Sequence, residues 1–284
     1  MCSVPLTLRK FYVLKNSLLF LIVLCLVSCT NNIINDNSVK KYFDENKVTG
    51  TFALFDNGTG DFTIYNTVRY FDSAYLPAST FKIVNSLIGI QTGIVNDDST
   101  VIKWDSISRG RPECNKDMPM VDAFRISCPP WYMELARRIG KDTMQHWLDT
   151  LGYAQRYDKF KIKNNLDTFW LDNSAKVTAD EQLGLVKKLY FDQLPFQKRP
   201  MRIVRSMMLM RDDANYKLSY KTGWGTLENG NQLGWVIGWI EENKRPYFFV
   251  LQVESPDKNI DMATVRMTIL DSTLKKYGFF EGKK

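Results

Sequence analysis

Ser79 and Lys82 stand three residues apart in Pro77-Ala78-Ser79-Thr80-Phe81-Lys82, a spacing that can make a nucleophile. If a helix opens at Ser79, the two share a face and the lysine amine lies beside the serine hydroxyl. A lysine whose pKa is lowered by desolvation can take the hydroxyl proton. The unpaired N–H groups of the first turn then point at whatever the serine attacks. The segment Phe81 to Gln91 is largely apolar, and Gly93 is a helix stop. An ordinary amphipathic helix can show the same Ser-x-x-Lys pair, so other residues must decide.

The chain has one histidine, His146. A His-rich zinc site cannot be built from it, and no Cys-x-x-Cys pair replaces it. A Ser-His-Asp triad would rest on His146 alone. In Met144-Gln145-His146-Trp147-Leu148 it reads instead as a surface or core-edge residue of a helix.

Three further stretches carry chemistry. Phe124-Arg125-Ile126-Ser127-Cys128-Pro129-Pro130 places a hydroxyl between two short helices, with prolines that stiffen the backbone and aim it. Lys221-Thr222-Gly223 ends a β-run, where a glycine lets a substrate lie against the strand edge. Asp167-Thr168-Phe169-Trp170-Leu171 offers an indole N–H in an apolar setting, where it needs a partner. Singly, each also reads as a helix cap, a hairpin strand or a core aromatic.

The elements that must position them follow from periodicity. Val48 to Asp56 and Asp61 to Val68 read as strands around the turn Asn57-Gly58-Thr59-Gly60. Helical patterns dominate from Ser79 to about Arg211, clearest in Trp131 to Ile139, Thr143 to Thr150 and Ala179 to Tyr190. Tyr216 to Thr222, Leu233 to Glu241 and Pro246 to Glu254 read as strands, and Met262 to Tyr277 as a last helix. The expectation is an α+β fold: one antiparallel sheet built from both ends of the chain, flanked by helices, with an inserted helical lobe.

A length of 284 residues suits one large domain, and 44% hydrophobic with 24% charged residues is an ordinary globular balance. The net charge of +7 comes from scattered Lys and Arg without a nucleic-acid motif, so it favours small anions over nucleic acid. Arg9, Lys10 and Lys15 precede the short apolar run Ser17 to Val27, a targeting segment over residues 1–29. Its end, Leu26-Val27-Ser28-Cys29, resembles a bacterial lipoprotein box, with Cys29 lipidated. A plain secretory signal or an uncleaved anchor remains the other reading. Residues 30–40 would be a polar tether and 41–284 the domain. Every version places the body outside the cytoplasm. Only Cys114 and Cys128 then remain in the domain, and two cysteines at this size read as packing residues rather than a disulfide framework.

Together and in order, these motifs resemble those of the class D serine β-lactamases, or oxacillinases, among the penicillin-recognising serine enzymes. The resemblance covers about residues 48 to 280. Ser79-Thr80-Phe81-Lys82 matches the first motif, Ser127 stands where Ser-x-Val is expected, and Lys221-Thr222-Gly223 is the third. Trp170 in Phe-Trp-Leu fits the family tryptophan facing the lysine. Arg266 fits the carboxylate-binding arginine, with Gly278-Phe279-Phe280 closing its helix. Two departures stand out: Pro129 replaces the valine of Ser-x-Val, and Tyr153-Ala154-Gln155 replaces Tyr-Gly-Asn.

The resemblance implies hydrolysis of β-lactams through an acyl-enzyme on Ser79. Lys82 would be modified by carbon dioxide, the carbamate serving as general base, with no other cofactor. Trp170 would donate to that anion, and Ser127 would relay a proton to the leaving nitrogen. The backbone N–H groups of Ser79 and Trp224 would form the oxyanion hole. Lys221, Thr222 and Arg266 would hold the substrate carboxylate, with Gly223 in the substrate-binding strand edge. The implied location is extracytoplasmic, in the periplasm, tethered to the membrane through Cys29. Two other members of the superfamily would share the acylation chemistry: a β-lactam sensor, and a peptidoglycan transpeptidase or carboxypeptidase.

Overall fold

Alternating apolar residues build a sheet that is covered on both faces. In the computed structural model, which describes residues 32–157 and 159–284, the strands are β1 (Ile33–Asn35), β2 (Thr49–Asp56), β3 (Phe62–Tyr65), β4 (Ala74–Tyr75), β5 (Val101–Ile102), β6 (Met118–Pro119), β7 (Val177–Thr178), β8 (Leu209–Asp212), β9 (Tyr216–Thr226), β10 (Gln232–Glu242) and β11 (Arg245–Ser255). The main sheet has the order β1-β3-β2-β11-β10-β9-β8. Its centre joins the two ends of the chain, because β11 pairs antiparallel with β2.

The helices are α1 (Lys40–Glu45), α2 (Thr67–Asp72), α3 (Lys82–Gln91), α4 (Met120–Arg125), α5 (Pro129–Ile139), α6 (Lys141–Leu151), α7 (Ala179–Tyr190), α8 (Lys198–Met208) and α9 (Met262–Lys276). Strand residues divide between two cores by parity, as a pleat requires. Trp235, Ile237 and Trp239 of β10 join one core with α3, α5 and α7. Val236 and Ile240 point the other way and pack with Ile269 and Leu270 of α9. The α+β expectation holds, with the helical lobe lying between β3 and β8 in the chain.

Local signals explain several boundaries. Thr178 and Glu181 form a reciprocal capping box that starts α7. Gly152, left-handed at φ 65, ends α6. Helix α3 is buried all round except at Gln91, the pattern of a central core helix.

The structure departs from expectation in four places. Strand β3 stops at Tyr65 and residues 67–72 are helical, started by the Asn66 side chain accepting from the Arg69 N–H. Strand β9 runs on to Thr226, since Trp224, Gly225 and Thr226 stay paired with β10 although two glycines blur the apolar pattern. The span 30–40 is not simply a tether: it contains β1 and a 3-10 turn at Asn37–Val39, and Val39 is fully buried. Cys114 and Cys128 are disulfide-bonded, with Cα atoms 5.8 Å apart. The targeting segment and Cys29 lie outside the described residues. Among the described residues no helix is long and apolar enough to cross a membrane.

Gly238 shows how tightly the central strands are drawn together. A Cβ there would come 2.0 Å from the Ser219 carbonyl oxygen and 2.8 Å from the Tyr220 Cα, both backbone atoms of β9. Gly238→Ala is therefore expected to destabilise the protein by about 1–3 kcal/mol, as overpacking against an unyielding strand does. A urea titration should show a lower midpoint with an unchanged slope. An unchanged midpoint would mean that the strands can part without penalty.

Candidate active site

The segment Leu76 to Lys82 is held from three sides. A 3-10 turn, Ala78–Phe81, leads directly into α3. The Ala78 N–H donates to the Trp170 carbonyl at 2.9 Å, and the Trp235 indole donates to the Leu76 carbonyl at 3.0 Å. The Thr80 hydroxyl donates to the Pro77 carbonyl at 2.6 Å, leaving its oxygen to accept from the Gln182 side-chain amide at 2.7 Å. Ala78 is left-handed at φ 48, a strain that persists only where the surroundings fix it. Strand β9 presses against this segment: a Cβ on Gly225 would meet Leu76 Cδ1 at 2.7 Å, and one on Gly223 would meet the Pro77 carbonyl at 3.1 Å.

This clamped turn sets Ser79 and Lys82 together. Lys82 Nζ donates to Ser79 Oγ at 2.7 Å, and Lys82 is fully buried. Burial, and then the charge of Arg111, push the Lys82 amine down to about 7. The Tyr132 ring lies 5.4 Å from Nζ. Near neutral pH much of this amine is deprotonated and can accept the Ser79 proton.

Ser127 and Lys221 face them as a second pair. Lys221 Nζ donates to Ser127 Oγ at 2.9 Å and to the Thr222 carbonyl at 3.2 Å. Burial first, then the charges of Lys82, Arg266 and Arg111, hold Lys221 well below the usual lysine range. Ser127 occupies the left-handed position that closes α4, at φ 61. Pro129 and Pro130 begin α5, whose first turn needs no backbone donor.

The remaining expected residues border the same place. Arg266 Nη1 donates to the Gly223 carbonyl at 2.5 Å, while its buried Nε has no hydrogen-bond partner. Burial pushes Arg266 down to about 10. Trp170 is fully buried, stacked on Phe81 with ring centroids 5.0 Å apart, and its indole N–H has no partner. Trp224 is 44% exposed, with its indole donating to Gln232 Oε1 at 2.9 Å. Strand β8 leaves β9 at Ser219, so Lys221, Thr222, Gly223 and Trp224 lie beyond the last β8 pairing. Chemically, the arrangement offers a nucleophile with a neutral base, a second proton relay and a cationic rim.

Sequence reasoning missed Arg111, Gln182 and the Cys114–Cys128 bridge. Arg111 Nη2 and Nη1 donate to the Ile126 and Ser127 carbonyls at 3.2 and 3.3 Å. No local motif announces such side-chain-to-backbone contacts. His146 is exposed on α6 against Trp147, away from all of these groups in the hydrogen-bond network.

The penicillin binding protein transpeptidase domain family matches residues 30–273. The β-lactamase OXA-48 of Klebsiella pneumoniae is 34% identical over 85% of this chain and 88% of its own length. The chain belongs to the class D serine β-lactamases. The probable β-lactamase YbxI of Bacillus subtilis is 37% identical over 83% of this chain and 84% of its own length. Among solved structures, the class D β-lactamase FUS-1 (OXA-85) of Fusobacterium nucleatum superposes with a TM-score of 0.80 at 29% identity, covering 88% of this chain and 100% of that one. The C-terminal domain of the Bacillus licheniformis BlaR penicillin-receptor superposes with a TM-score of 0.81 at 25% identity, covering 89% of this chain and 99% of that one. In this class D β-lactamase domain, Ser79 lies on the turn, Lys82 at the start of α3, Ser127 on the inter-helix link and Lys221 on β9.

The depressed lysines make this site chemically distinct from the protein surface. Acetic anhydride modifies only neutral amines, so trace labelling at pH 7 should mark Lys82 ahead of the exposed lysines, as read by peptide mass spectrometry. The labelling rate should rise with pH through about 7, where Lys82 loses its proton. A Lys82 profile that instead keeps rising through pH 10 would show an ordinary, solvated ammonium.

Proposed function

We propose that this protein hydrolyses β-lactam antibiotics through an acyl-enzyme on Ser79. The observation that carries the reading is the Ser79–Lys82 pair: a hydroxyl 2.7 Å from a fully buried amine whose proton is lost near neutral pH. Ser79 Oγ attacks the lactam carbonyl as its proton leaves toward position 82. The developing oxyanion is received by the backbone N–H groups of Ser79 and Trp224. As the ring C–N bond breaks, Ser127, hydrogen-bonded to Lys221, delivers a proton to the leaving nitrogen. Arg266, Lys221 and Thr222 hold the substrate carboxylate. Water then cleaves the ester and regenerates Ser79.

The residues fit a carbamate on Lys82. Carbon dioxide adds only to a neutral amine, and the resulting anion in a dry pocket needs a donor. The buried Trp170 N–H, without a partner, is such a donor. When bound, the carboxylate of the carbamate supplies the general base for acylation and for activating water. Trp170 would hold that anion, with Phe81 and Phe169 packed on its indole and Tyr153 behind Phe81.

The BlaR neighbour favours a second reading, a receptor that acylates without fast turnover. Nitrocefin turnover separates the two, since only a hydrolase passes through many cycles.

We also propose that Cys29 carries lipid and tethers the protein outside the cytoplasm, in the periplasm, on the strength of Leu26-Val27-Ser28-Cys29. The Cys114–Cys128 bridge supports an oxidising compartment. Labelled palmitate should be incorporated by wild type and lost in Cys29→Ser. Equal labelling of both would remove the lipobox reading.

Intact-mass spectrometry after penicillin exposure should show a penicilloyl adduct on wild type and none on Ser79→Ala. Trp170→Phe should still form the acyl-enzyme but turn over more slowly, about tenfold or more, because a hydrogen bond to a charged group is worth about 1.5–3 kcal/mol. Added bicarbonate should restore part of that loss, and ¹³C-bicarbonate should give a carbamate resonance absent from Lys82→Ala. If activity is indifferent to bicarbonate and no resonance appears, Lys82 acts as a plain amine.

A further inference from the structure

The Ser127 backbone is a strained link in the site. Helix α4 ends in a two-bond cap: the Cys128 N–H donates to the Ala123 carbonyl at 2.8 Å and the Ser127 N–H to the Phe124 carbonyl at 3.2 Å. In that cap the residue at the place of Ser127 takes a left-handed conformation, ordinarily as glycine. Here it is a serine at φ 61, and its hydroxyl must meet Lys221 Nζ at 2.9 Å. A side chain held so against its own preference stays put only if something outside the cap fixes it.

Two fasteners do so, one on each side of the Ser127–Cys128 peptide. Arg111 spreads its guanidinium over the Ile126 and Ser127 carbonyls, and its Nε donates to Glu113 Oε1 at 2.9 Å, which sets the plane of the fork. Three residues on, Cys114 is buried and bonded to Cys128. The 3-10 turn Pro112–Cys114 makes one rigid piece of the two, with the Cys114 N–H donating to the Arg111 carbonyl at 2.9 Å. One short segment thus grips the carbonyls before Cys128 through Arg111 and the side chain of Cys128 through sulfur.

We propose that Arg111 is a positioning residue for Ser127, acting together with the Cys114–Cys128 disulfide, so that the aim of the Ser127 hydroxyl depends on the bridge being oxidised. The inference rests on the reading that Ser127 relays a proton. It adds a residue outside the three motifs and a dependence on redox state. A lysine cannot replace Arg111, because one ammonium cannot span two carbonyls as a planar fork does.

The test measures nitrocefin kcat and KM, the rate of labelling by a fluorescent penicillin, and the unfolding midpoint. Arg111→Ala is expected to lower kcat and the labelling rate about tenfold, the scale of a small misplacement of a reacting group, with KM changed less. Arg111 is part-exposed, so its variants should fold with little change in midpoint. Arg111→Lys should stay near Arg111→Ala, and millimolar methylguanidinium should restore part of the Arg111→Ala rate. Dithiothreitol should slow wild type but leave Cys114→Ser unaffected. Wild-type kcat in Arg111→Ala, full activity in Arg111→Lys, or a kcat loss that tracks a lower midpoint would overturn the proposal. So would a wild-type labelling rate that dithiothreitol does not change. These outcomes differ from failure of the underlying reading, in which wild type itself would neither turn over nitrocefin nor take the label.

Discussion

The site depends on keeping an amine at position 82 out of water. Helix α3 is buried on nearly every side, and Lys82 sits in its first turn with no exposed surface. An ammonium there would be several kcal/mol less favourable than in solvent, so the neutral form competes near pH 7. That one constraint dictates the neighbours. Phe81, Trp170 and Tyr132 make the pocket dry, and the turn before α3 brings the Ser79 hydroxyl to the Lys82 amine. Lys221 is subject to the same desolvation and is further discouraged from charging by Lys82.

The charges that act on the two buried lysines have one sign. The groups that act on Lys82 and Lys221 are Arg111, Arg266 and the two lysines themselves, with no carboxylate among them. Such a cluster stays unfavourable until an anion enters. A β-lactam brings its own carboxylate, and a carbamate at Lys82 would bring a second negative charge. The Nε of Arg266, buried without a partner, is the local sign of that incompleteness. A carbamate at Lys82 would thus couple base formation to substrate affinity through the same positive field.

Much of this was legible in the residues. The strands β10 and β11 were readable as long apolar runs, as strands buried on both faces are, and α7 spans the expected Ala179 to Tyr190. The boundaries that slipped did so for local reasons: a side-chain cap at Asn66 turned residues 67–72 helical, and glycine-containing Trp224–Thr226 hid a continuing ladder. Within the site, Ser79 and Lys82 were readable because three residues on one helical turn fix their distance. Ser127 and Lys221 are 94 residues apart, so only the ordered motifs could bring them together. Gln182 reaches Thr80 across 102 residues and Arg111 reaches backbone carbonyls, contacts that leave no pattern in the chain. The disulfide was missed because two cysteines in a large core are equally at home as packing groups.

The two departures from the family motifs have different physical consequences. Pro129 stands at the first position of α5, where a missing N–H removes no hydrogen bond and a fixed φ suits the helix. It therefore stiffens the link from Ser127 into α5 instead of disturbing it. Ala154 is less comfortable. It stands where the related motif has glycine and adopts φ 55, so its Cβ bears a penalty of about 1 kcal/mol that glycine would avoid. The conformation is kept because Tyr153 is buried against Phe81 and Gln155 donates to Asp149 at 2.7 Å, fixing the chain on both sides of it. Phe81 adjoins Lys82, so the residue that enforces this strain also forms a wall of the lysine pocket. Tyr153 thus ties the strained Ala154 to the lysine pocket through its contact with Phe81.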